Sequence, residues 1–299
     1  HFSPSLYEER AAGWDEVKMI ELKLSQGAKP GHGGLLPAEK NTPEVAKIRT
    51  VKPGTTVHSP SSHSAFSDAP GLIQFIKRLR DLSGGKPIGF KICIGRKDEF
   101  LDIVKAMKAA NIYPDFITVD GAEGGTGAAP LEFIDYMGMA LGDALVFVNS
   151  TLQEYGIREE IKIFAAGKVI SAFDLAKALS LGADACYSAR GMMFALGCIQ
   201  ALQCDSGKCP VGIATQDKQL YKGLDITDKQ VRVANFHKNT LKAMAEFIGA
   251  CGFDSHEQIT PDVFFRRNEH GQNQSFAEIY YKNSNNTKKN NVSSSFLNI

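Results

Sequence analysis

Apolar residues along the chain form short continuous runs that alternate with longer stretches of helical spacing. Five runs are typical of β-strands and lie at residues 17–25, 87–94, 115–121, 161–167 and 183–190. Apolar residues three or four positions apart predict helices over 71–82, 99–112, 144–157 and 171–182. Strands that are apolar on both faces and alternate with helices indicate a parallel sheet covered by helices.

A glycine-rich or polar turn follows each predicted strand: QGAKPGHGG, IGRKDE, DGAEGGTGAA, AAGKVIS and SARG. In a parallel barrel these turns meet at one rim, where active sites lie. None has the G-x-G-x-x-G form of a dinucleotide-binding doubly wound sheet. The pattern favours an α/β fold of the TIM (β/α)8-barrel type. Because five strands are visible and the chain begins at His1, we expect the barrel to be incomplete at its N-terminus. A small open sheet is the alternative.

The two ends of the chain differ from its middle. Residues 1–14 are short and mixed in character, and we interpret them as an N-terminal extension or remnant. Residues 15–265 carry the alternating pattern and form the predicted barrel. The stretch 283–299 is rich in Asn, Ser and Lys and cannot bury a core. We therefore expect residues 266–299 to be a polar tail that is largely disordered.

Composition narrows the class of protein. A chain of 299 residues with 43% hydrophobic content can bury a large core, and a net charge of +1 argues against a nucleic-acid partner. No apolar run reaches the roughly 18–20 residues of a membrane span, and no signal peptide is recognisable. Six cysteines are too few for a disulfide scaffold. These features predict a reducing compartment, the cytoplasm or an organellar matrix.

The turn DGAEGGTGAAP directly follows a strand and is a candidate ligand site. Gly124 and Gly125 allow the main chain to approach a planar or anionic ligand, and Thr126 adds a hydroxyl. Glycine-rich turns also occur as plain connections, so the turn alone supports either interpretation.

Two later turns each lead into a helix near the end of the predicted barrel. They are AAGK at 165–168 and SARG at 188–191. This position is where barrels often bind phosphate, and Lys168 and Arg190 supply positive charge. The alternative for each cation is an ordinary surface charge.

Lys91 stands inside the apolar strand GFKIC. A buried ammonium is costly unless it meets an anion or a polar site, so Lys91 is a candidate for stabilising negative charge that develops during a reaction. The alternative is an edge lysine that extends to solvent. His58 and His63 lie in one loop and could bind substrate or simply be solvated.

Three of the six cysteines lie in the segment GCIQALQCDSGKCPVGIATQD at 197–217, spaced C-x5-C-x4-C. A helix over 192–202 is expected to stop at the Asp-Ser-Gly sequence of 205–207. Three thiolates suit a three-iron cluster, in which each iron takes one protein sulfur. A zinc site with a missing ligand and three structural cysteines are the alternatives. Cys93, Cys186 and Cys251 are interpreted as small core residues.

Three segments, QGAKPGHGG, DGAEGGTGAAP and the cysteine segment, resemble the FMN-binding synthase domain of glutamate synthase over about residues 15–265. The resemblance implies FMN at the carboxyl-terminal rim of the barrel and a [3Fe–4S] cluster bound by Cys198, Cys204 and Cys209. It places flavin contacts on Gln26, Lys91, Gly124, Gly125, Thr126, Gly167, Lys168, Ala189 and Arg190, with Gln26 and Lys91 as catalytic residues.

Three departures from the family pattern resemble a stand-alone branch of that family. His32 stands where the family has Glu in K-P-G-E-G-G, and Ala122 and Glu123 replace the His-Asp of H-D-G-G-T-G. Ala166 and Gly167 replace an Asp-Gly pair, which removes a carboxylate expected to hold flavin hydroxyls.

The resemblance implies that electrons pass from the [3Fe–4S] cluster through FMN to a 2-oxoglutarate or 2-iminoglutarate type of acceptor, forming L-glutamate. The implied partners are this small-molecule substrate and an electron donor such as ferredoxin or a reductase subunit. The alternative hypothesis is a truncated, inactive barrel that retains only a cluster-binding or zinc-binding cysteine segment.

Overall fold

The computed structural model describes residues 2–31, 33–125, 129–130 and 132–281. In chain order the strands are β1 (Ile20–Lys23), β2 (Leu35–Leu36), β3 (Val57–His58), β4 (Ile88–Ile92), β5 (Phe116–Asp120), β6 (Lys162–Ala166), β7 (Ala185–Cys186), β8 (Phe265–Arg267) and β9 (Asn273–Ser275). The helices are α1 (Pro4–Ala12), α2 (Pro43–Arg49), α3 (Ala69–Leu82), α4 (Lys97–Ala110), α5 (Leu141–Glu154), α6 (Ala172–Ser180), α7 (Arg190–Leu196), α8 (Lys218–Tyr221), α9 (Ile226–Ala250) and α10 (Phe276–Tyr280). Short 3₁₀ helices occupy Ala38–Lys40, Arg158–Glu160, His256–Gln258 and Pro261–Val263.

The central sheet contains the five predicted strands in the order β1-β4-β5-β6-β7, all parallel. This order follows the chain without reversal, as in consecutive barrel strands, whereas a doubly wound sheet would reverse at a switch point. Within the described residues the sheet is open, with β1 and β7 at its edges. The predicted α/β class is confirmed, and the open sheet agrees with the expected incomplete barrel.

Side chains alternate between the two faces of the sheet, and helices α3, α5 and α6 pack against its strands. Phe90, Ile117 and Ile163 point to the helical layer and are completely buried. The opposite face, which we call the inner face, carries Glu21 and Lys91 with other polar and aromatic side chains. A polar inner face is consistent with a binding site at one end of the sheet.

Local capping explains where the helices begin. Asp68 accepts a hydrogen bond from Gly71 N at the start of α3, and Ser171 and Asp174 form a capping box at the start of α6. Helix α5 begins three residues before the predicted start at residue 144, and its N-cap residue, Ala140, has no capping side chain of its own. Within the described ranges, no helix combines the length and apolar character that a membrane crossing requires.

The chain beyond residue 265 is structured as far as the description extends. Strands β8 and β9 form an antiparallel hairpin, and α10 follows them. Phe276 is buried and stacks on Phe264 with ring centroids 5.6 Å apart. The prediction of a largely disordered polar tail from residue 266 is therefore wrong for the part up to Tyr281, because Phe276, Tyr280 and Tyr281 in this polar sequence pack against the core. Residues 282–299 lie outside the described chain.

The N-terminal extension packs against α3. Tyr7 donates a hydrogen bond to Leu79 O at 3.2 Å, and Phe2 meets the ring of Phe75 edge-on at 5.0 Å. These contacts cover one side of α3 with aromatic rings.

The cysteine segment also differs from prediction. The expected helix over 192–202 ends at Leu196, where Gly197 adopts a left-handed conformation with φ of 104°. Such a residue terminates a helix because its main chain turns away from the helical path. Cys198 and Cys204 therefore lie in the loop after α7, and the helix does not continue to 205–207.

Candidate functional site

Two of the predicted site residues, Lys91 and Gly124, lie against the side chain of Asp120 at the carboxyl ends of the parallel strands. Asp120 is the last residue of β5, and its side chain is 8% exposed. Its Oδ2 accepts a hydrogen bond from Gly27 N at 3.0 Å and forms an ion pair with Lys91 Nζ at 3.1 Å. A buried carboxylate is stable when it has partners of this kind. Asp120 is thus the anion that a lysine within an apolar strand was expected to contact.

Glycine residues make this arrangement sterically possible. A Cβ on Gly27 would lie 1.7 Å from Gly121 O, so any side chain there would force the two turns apart. A Cβ on Gly124 would lie 2.6 Å from Asp120 Oδ1. The turns after β1 and β5 can therefore touch only because these positions lack side chains.

The turns after β5 and β6 are held to each other by main-chain contacts. Gly121 N donates to Ala166 O at 2.9 Å, and Gly124 N donates to Gly121 O at 2.8 Å. Gly167 has φ of 123°, a conformation that favours glycine, and it packs against Gly121. The structure thus brings together Gly124 and Gly167 from the prediction. Thr126 lies outside the described residues.

Arg190 and Lys168 border a cavity of about 320 Å³ beside the glycine turn. Arg190 Nη2 donates to Gly125 O at 2.8 Å, and Lys168 Nζ lies 3.6 Å from Asp135 Oδ1. The cavity is lined by Gly125, Ile134, Lys168, Ile170, Arg190, Phe194, Gln200 and Leu202. Two cations at one opening suit an anionic group such as a phosphate. Ala189 is the exposed residue that precedes α7.

A second cavity, of about 220 Å³, lies next to β1 and contains Gln26. Its other lining residues are Lys23, Leu24, Ser25, Lys29, Gly31, Gly33, Gly34, Ser59, Pro60 and Ser61. Lys29 is buried, and Lys23 lies beside Lys91 in the strand register. Burial lowers the pKa of Lys23, and the charges of Lys91 and Lys29 lower it further. The negative charges of Asp120 and Glu21 raise this pKa in part. This corner of the site is therefore rich in positive charge.

A polar network on the inner face was not expected from the sequence. Glu21 Oε2 accepts hydrogen bonds from Thr118 on β5 and, at 3.4 Å, from Tyr187 Oη after β7. Glu21 lies opposite Gly89 on the intervening strand, and the Phe116 ring covers the space that a side chain at residue 89 would fill. The alternation of Glu21, Lys23 and Lys91 in otherwise apolar strands was the signal for this face.

Sequence reasoning also missed the function of Glu123. Both of its carboxylate oxygens accept from Leu141 N, at 2.9 and 3.0 Å, so Glu123 caps the start of α5 from the glycine turn. This cap explains why α5 begins before the predicted residue 144.

The structure packs His63 against aromatic rings and leaves His58 exposed. His63 stacks on Phe66 with ring centroids 4.7 Å apart, and its Nδ1 accepts from Ala65 N at 3.1 Å. His58 is exposed in β3. The solvated or structural alternative fits both residues.

The three cysteines of the C-x5-C-x4-C segment do not form a metal-binding group in the described residues. Among these, no three His, Cys, Asp or Glu side chains lie close enough to hold a metal ion. Cys209 is buried, and burial raises the pKa of its thiol. Main-chain hydrogen bonds outweigh this effect, so the pKa is lowered overall. The donating residues are Ala214, Val211, Ile213 and Gly212. Lys40 donates to the carbonyl oxygens of Cys204 and Ala214, which fastens the loop to the region after β2.

The remaining cysteines behave largely as the sequence indicated. Cys93 is buried, and burial followed by the charges of Asp120 and Glu123 raises its pKa to about 12. Burial raises the pKa of Cys186 to about 12 as well, although Cys186 and Cys251 are only half-buried. Protonated thiols in apolar surroundings act as small core residues.

Comparison with known proteins gives a consistent result. The model of the family described as a conserved region in glutamate synthase matches residues 10–254. Glutamate synthase large subunit-like protein YerD of Bacillus subtilis (strain 168) is 41% identical over 263 residues, which are 88% of this chain and 50% of that protein. An archaeal glutamate synthase [NADPH] of Methanocaldococcus jannaschii is 38% identical over 241 residues, 80% of this chain and 46% of that protein.

A longer relative and a solved structure complete the comparison. Ferredoxin-dependent glutamate synthase of Antithamnion sp. is 31% identical over 81% of this chain and 15% of that protein. The flavin-binding domain of baker's yeast flavocytochrome b2 covers 86% of this chain and 50% of its own, at 15% identity and a TM-score of 0.49, too low a score to carry a conclusion. The chain thus spans about half the length of the first two relatives or less.

Proposed function

Because the chain belongs to the glutamate synthase family, we propose that it is part of a flavin-dependent oxidoreductase that forms L-glutamate from a 2-oxoglutarate or 2-iminoglutarate type of acceptor. One observation carries the proposal: the family match includes the strand ends where Gln26, Lys91, the glycine turn and Arg190 converge. The whole reaction is proposed for the complete enzyme, of which these residues form one part.

The residues present fit FMN. Gly125 leaves the main chain accessible beside the cavity, because a Cβ there would meet no atom closer than 3.8 Å, whereas Gly124 and Gly167 pack the neighbouring turns together. Lys168 and Arg190 stand at this cavity of about 320 Å³, which suits a phosphate. We propose that these residues hold FMN together with Gln26, Lys91, Thr126 and Ala189. When bound, FMN supplies hydride transfer, which no protein side chain provides.

The chain's own groups orient reactants and balance charge. Lys91 places an ammonium at the carboxyl end of β4, where it can stabilise negative charge that develops during reduction. Gln26 offers an amide donor and acceptor to the cavity of about 220 Å³, and Lys23 and Lys29 line the same cavity. Two cations in this cavity favour a substrate that carries carboxylates.

We propose that reducing equivalents come from a separate donor, such as ferredoxin or a reductase subunit. One relative is named as ferredoxin-dependent and others as NADPH enzymes, so relatives differ in their donor. Incubation of the complete enzyme with reduced ferredoxin or with NADPH, followed by flavin reduction at 450 nm (roughly the flavin maximum), would identify which donor is competent.

The [3Fe–4S] cluster stays a prediction. The separate placement of the three thiols does not fit a preformed cluster site, so binding through Cys198, Cys204 and Cys209 would require the 197–217 loop to rearrange. Iron and acid-labile sulfide in anaerobically purified protein test it: about three irons per chain, lost in Cys204→Ala, would support the cluster. Metal-free protein, or zinc in its place, would contradict it.

Flavin binding is the direct test of the proposed function. Titration of FMN with the purified full-length protein should quench flavin fluorescence with one site per chain, and Lys168→Ala with Arg190→Ala should weaken binding at least tenfold. Loss of two charge-assisted contacts explains this factor. A wild-type protein that leaves FMN fluorescence unchanged would contradict the proposal and favour an inactive barrel.

A further inference from the structure

Asp120 is the point at which three parts of the proposed flavin site are joined. Its Oδ2 accepts from Gly27 N in the turn after β1 and pairs with Lys91 Nζ on β4. Its Oδ1 lies over Gly124, where a Cβ would approach to 2.6 Å. One buried carboxylate therefore contacts the turns after β1 and β5 and the lysine on the strand between them.

Asp120 lies in a corner of the sheet that is rich in lysine side chains. Lys91, Lys23 and Lys29 surround the same corner of the sheet, and the two neighbouring lysines both lower the pKa of Lys23. Asp120 and Glu21 are the two anions that oppose this effect. Of these, Asp120 is the one in direct contact with Lys91, so it decides how much of the Lys91 charge reaches a ligand.

We propose that Asp120 is a positioning residue of the flavin site, which fixes Lys91 and the Gly27 turn and compensates part of the Lys91 charge. This inference rests on the proposed flavin-dependent function. It predicts that Asp120 restrains the stability of reduced, anionic flavin, since an uncompensated ammonium would favour that form over the neutral oxidised form.

Asp115 provides a matched control at the amino end of β5. It directly precedes β5, and its Oδ2 accepts from Ile88 N at 2.7 Å and from Arg80 Nη2 at 2.8 Å. Both aspartates therefore bind one main-chain N–H and one cation, at opposite ends of one strand. Only Asp120 lies at the carboxyl end, where the proposed site is.

The experiment measures the affinities of full-length wild-type protein, Asp120→Asn and Asp115→Asn for oxidised FMN and for reduced FMN. The quantity compared is the ratio of reduced to oxidised affinity. Asp120→Asn should raise the ratio of reduced to oxidised affinity at least tenfold, about 30 mV in the potential of a two-electron couple. Asp115→Asn should lower the melting temperature and leave the ratio unchanged. In a Lys91→Gln background, Asp120→Asn should raise the ratio less than in wild type, because the part of its effect that depends on the placement of Lys91 is then lost.

Hydrogen exchange of flavin-free protein separates the positioning from the flavin chemistry. Asp120→Ala should speed exchange of the Gly27 amide at least tenfold, Asp120→Asn should preserve its protection, and Asp115→Ala should affect the Ile88 amide instead. Unchanged Gly27 exchange in Asp120→Ala, or an unchanged affinity ratio in Asp120→Asn, would overturn the inference. Should wild-type protein bind no FMN, the proposed function fails, and the charge effect assigned to Asp120 fails with it. The exchange data then still decide whether Asp120 fixes the turn.

Discussion

The main-chain N–H of Leu141 donates to both carboxylate oxygens of Glu123, at 3.0 and 2.9 Å. Leu141 is the first residue of α5, and Ala140 before it has no side chain that could cap the helix. The glycine turn after β5 thus supplies the cap of the helix that follows it. The negative charge also lies at the positive end of the helix dipole, which adds to the stabilisation.

Removal of this cap should destabilise the fold and loosen the glycine turn. We expect Glu123→Ala to lower the free energy of unfolding by about 1–2 kcal/mol, and Glu123→Gln to lower it by about half as much because one acceptor remains. Urea denaturation followed by circular dichroism measures both. Glu154→Ala, at the exposed last residue of α5, is the control and should stay within about 0.5 kcal/mol of wild type. Equal effects of Glu123→Ala and Glu154→Ala would disprove the cap.

Gly27→Ala should damage the fold more than any surface change. Its Cβ would lie 1.7 Å from Gly121 O, a main-chain atom that cannot move without displacing the turn after β5. We expect a loss of more than about 3 kcal/mol or a protein that does not accumulate in soluble form. Gly95→Ala is the matched control, because its Cβ would meet no atom within 4 Å. Near-wild-type stability of Gly27→Ala would show that the two turns are not in contact.

Arg190→Ala should weaken FMN binding about ten- to a hundredfold, because it removes a cation and frees Gly125 O from its hydrogen bond. Arg190→Lys should recover only part of the affinity, since a lysine lacks the forked donors of a guanidinium. Fluorescence titration of FMN provides the measurement. Lys162→Ala removes an exposed cation at the amino end of β6 and should leave affinity unchanged. Weakening by Lys162→Ala to the same degree would point to a general charge effect.

Alkaline pH should destabilise the protein through the thiols of Cys93 and Cys186. The pKa of Cys93 and of Cys186 rises from 9.0 to about 12 in the folded state. The folded protein therefore retains protons that the unfolded chain releases, so their contribution to stability is complete below pH 9 and disappears between pH 9 and 12. Urea denaturation under reducing conditions should show a shallower fall over this range in the Cys93→Ala/Cys186→Ala variant than in wild type. Parallel curves would contradict this assignment.

Apolar periodicity was sufficient to predict the strands of the central sheet and the helices that pack on it. The same period placed side chains on alternating faces, so Lys91 was recognisable as a cation that needs a partner. The partner itself was not recognisable, because Asp120 stands in a V-D-G sequence typical of an ordinary turn and Gly27 lies 93 residues before it. Contacts between turns that are distant in sequence depend on strand order and register, which local patterns do not contain.

The cysteine segment shows how one residue can override a periodic pattern. Apolar residues continue at helical spacing through ALGCIQAL, which predicted a helix as far as residue 202. Gly197 adopts φ of 104° instead and ends α7 at Leu196. A glycine within a helical pattern is a possible C-terminal cap, so this sequence contained the signal for both outcomes. Tertiary contacts of the loop, such as those of Lys40, favour the earlier end.

Strand β1 hydrogen-bonds to β4 along one side, and within the described residues no strand joins its other side. Such an edge can template β-augmentation, in which an extended segment from any chain adds itself to the sheet. Glu21 and Lys23 place charge along this short strand, which is how natural edges resist self-association. The colloidal behaviour of the protein should therefore depend on these two charges, and their neutralisation should promote clustering at high concentration.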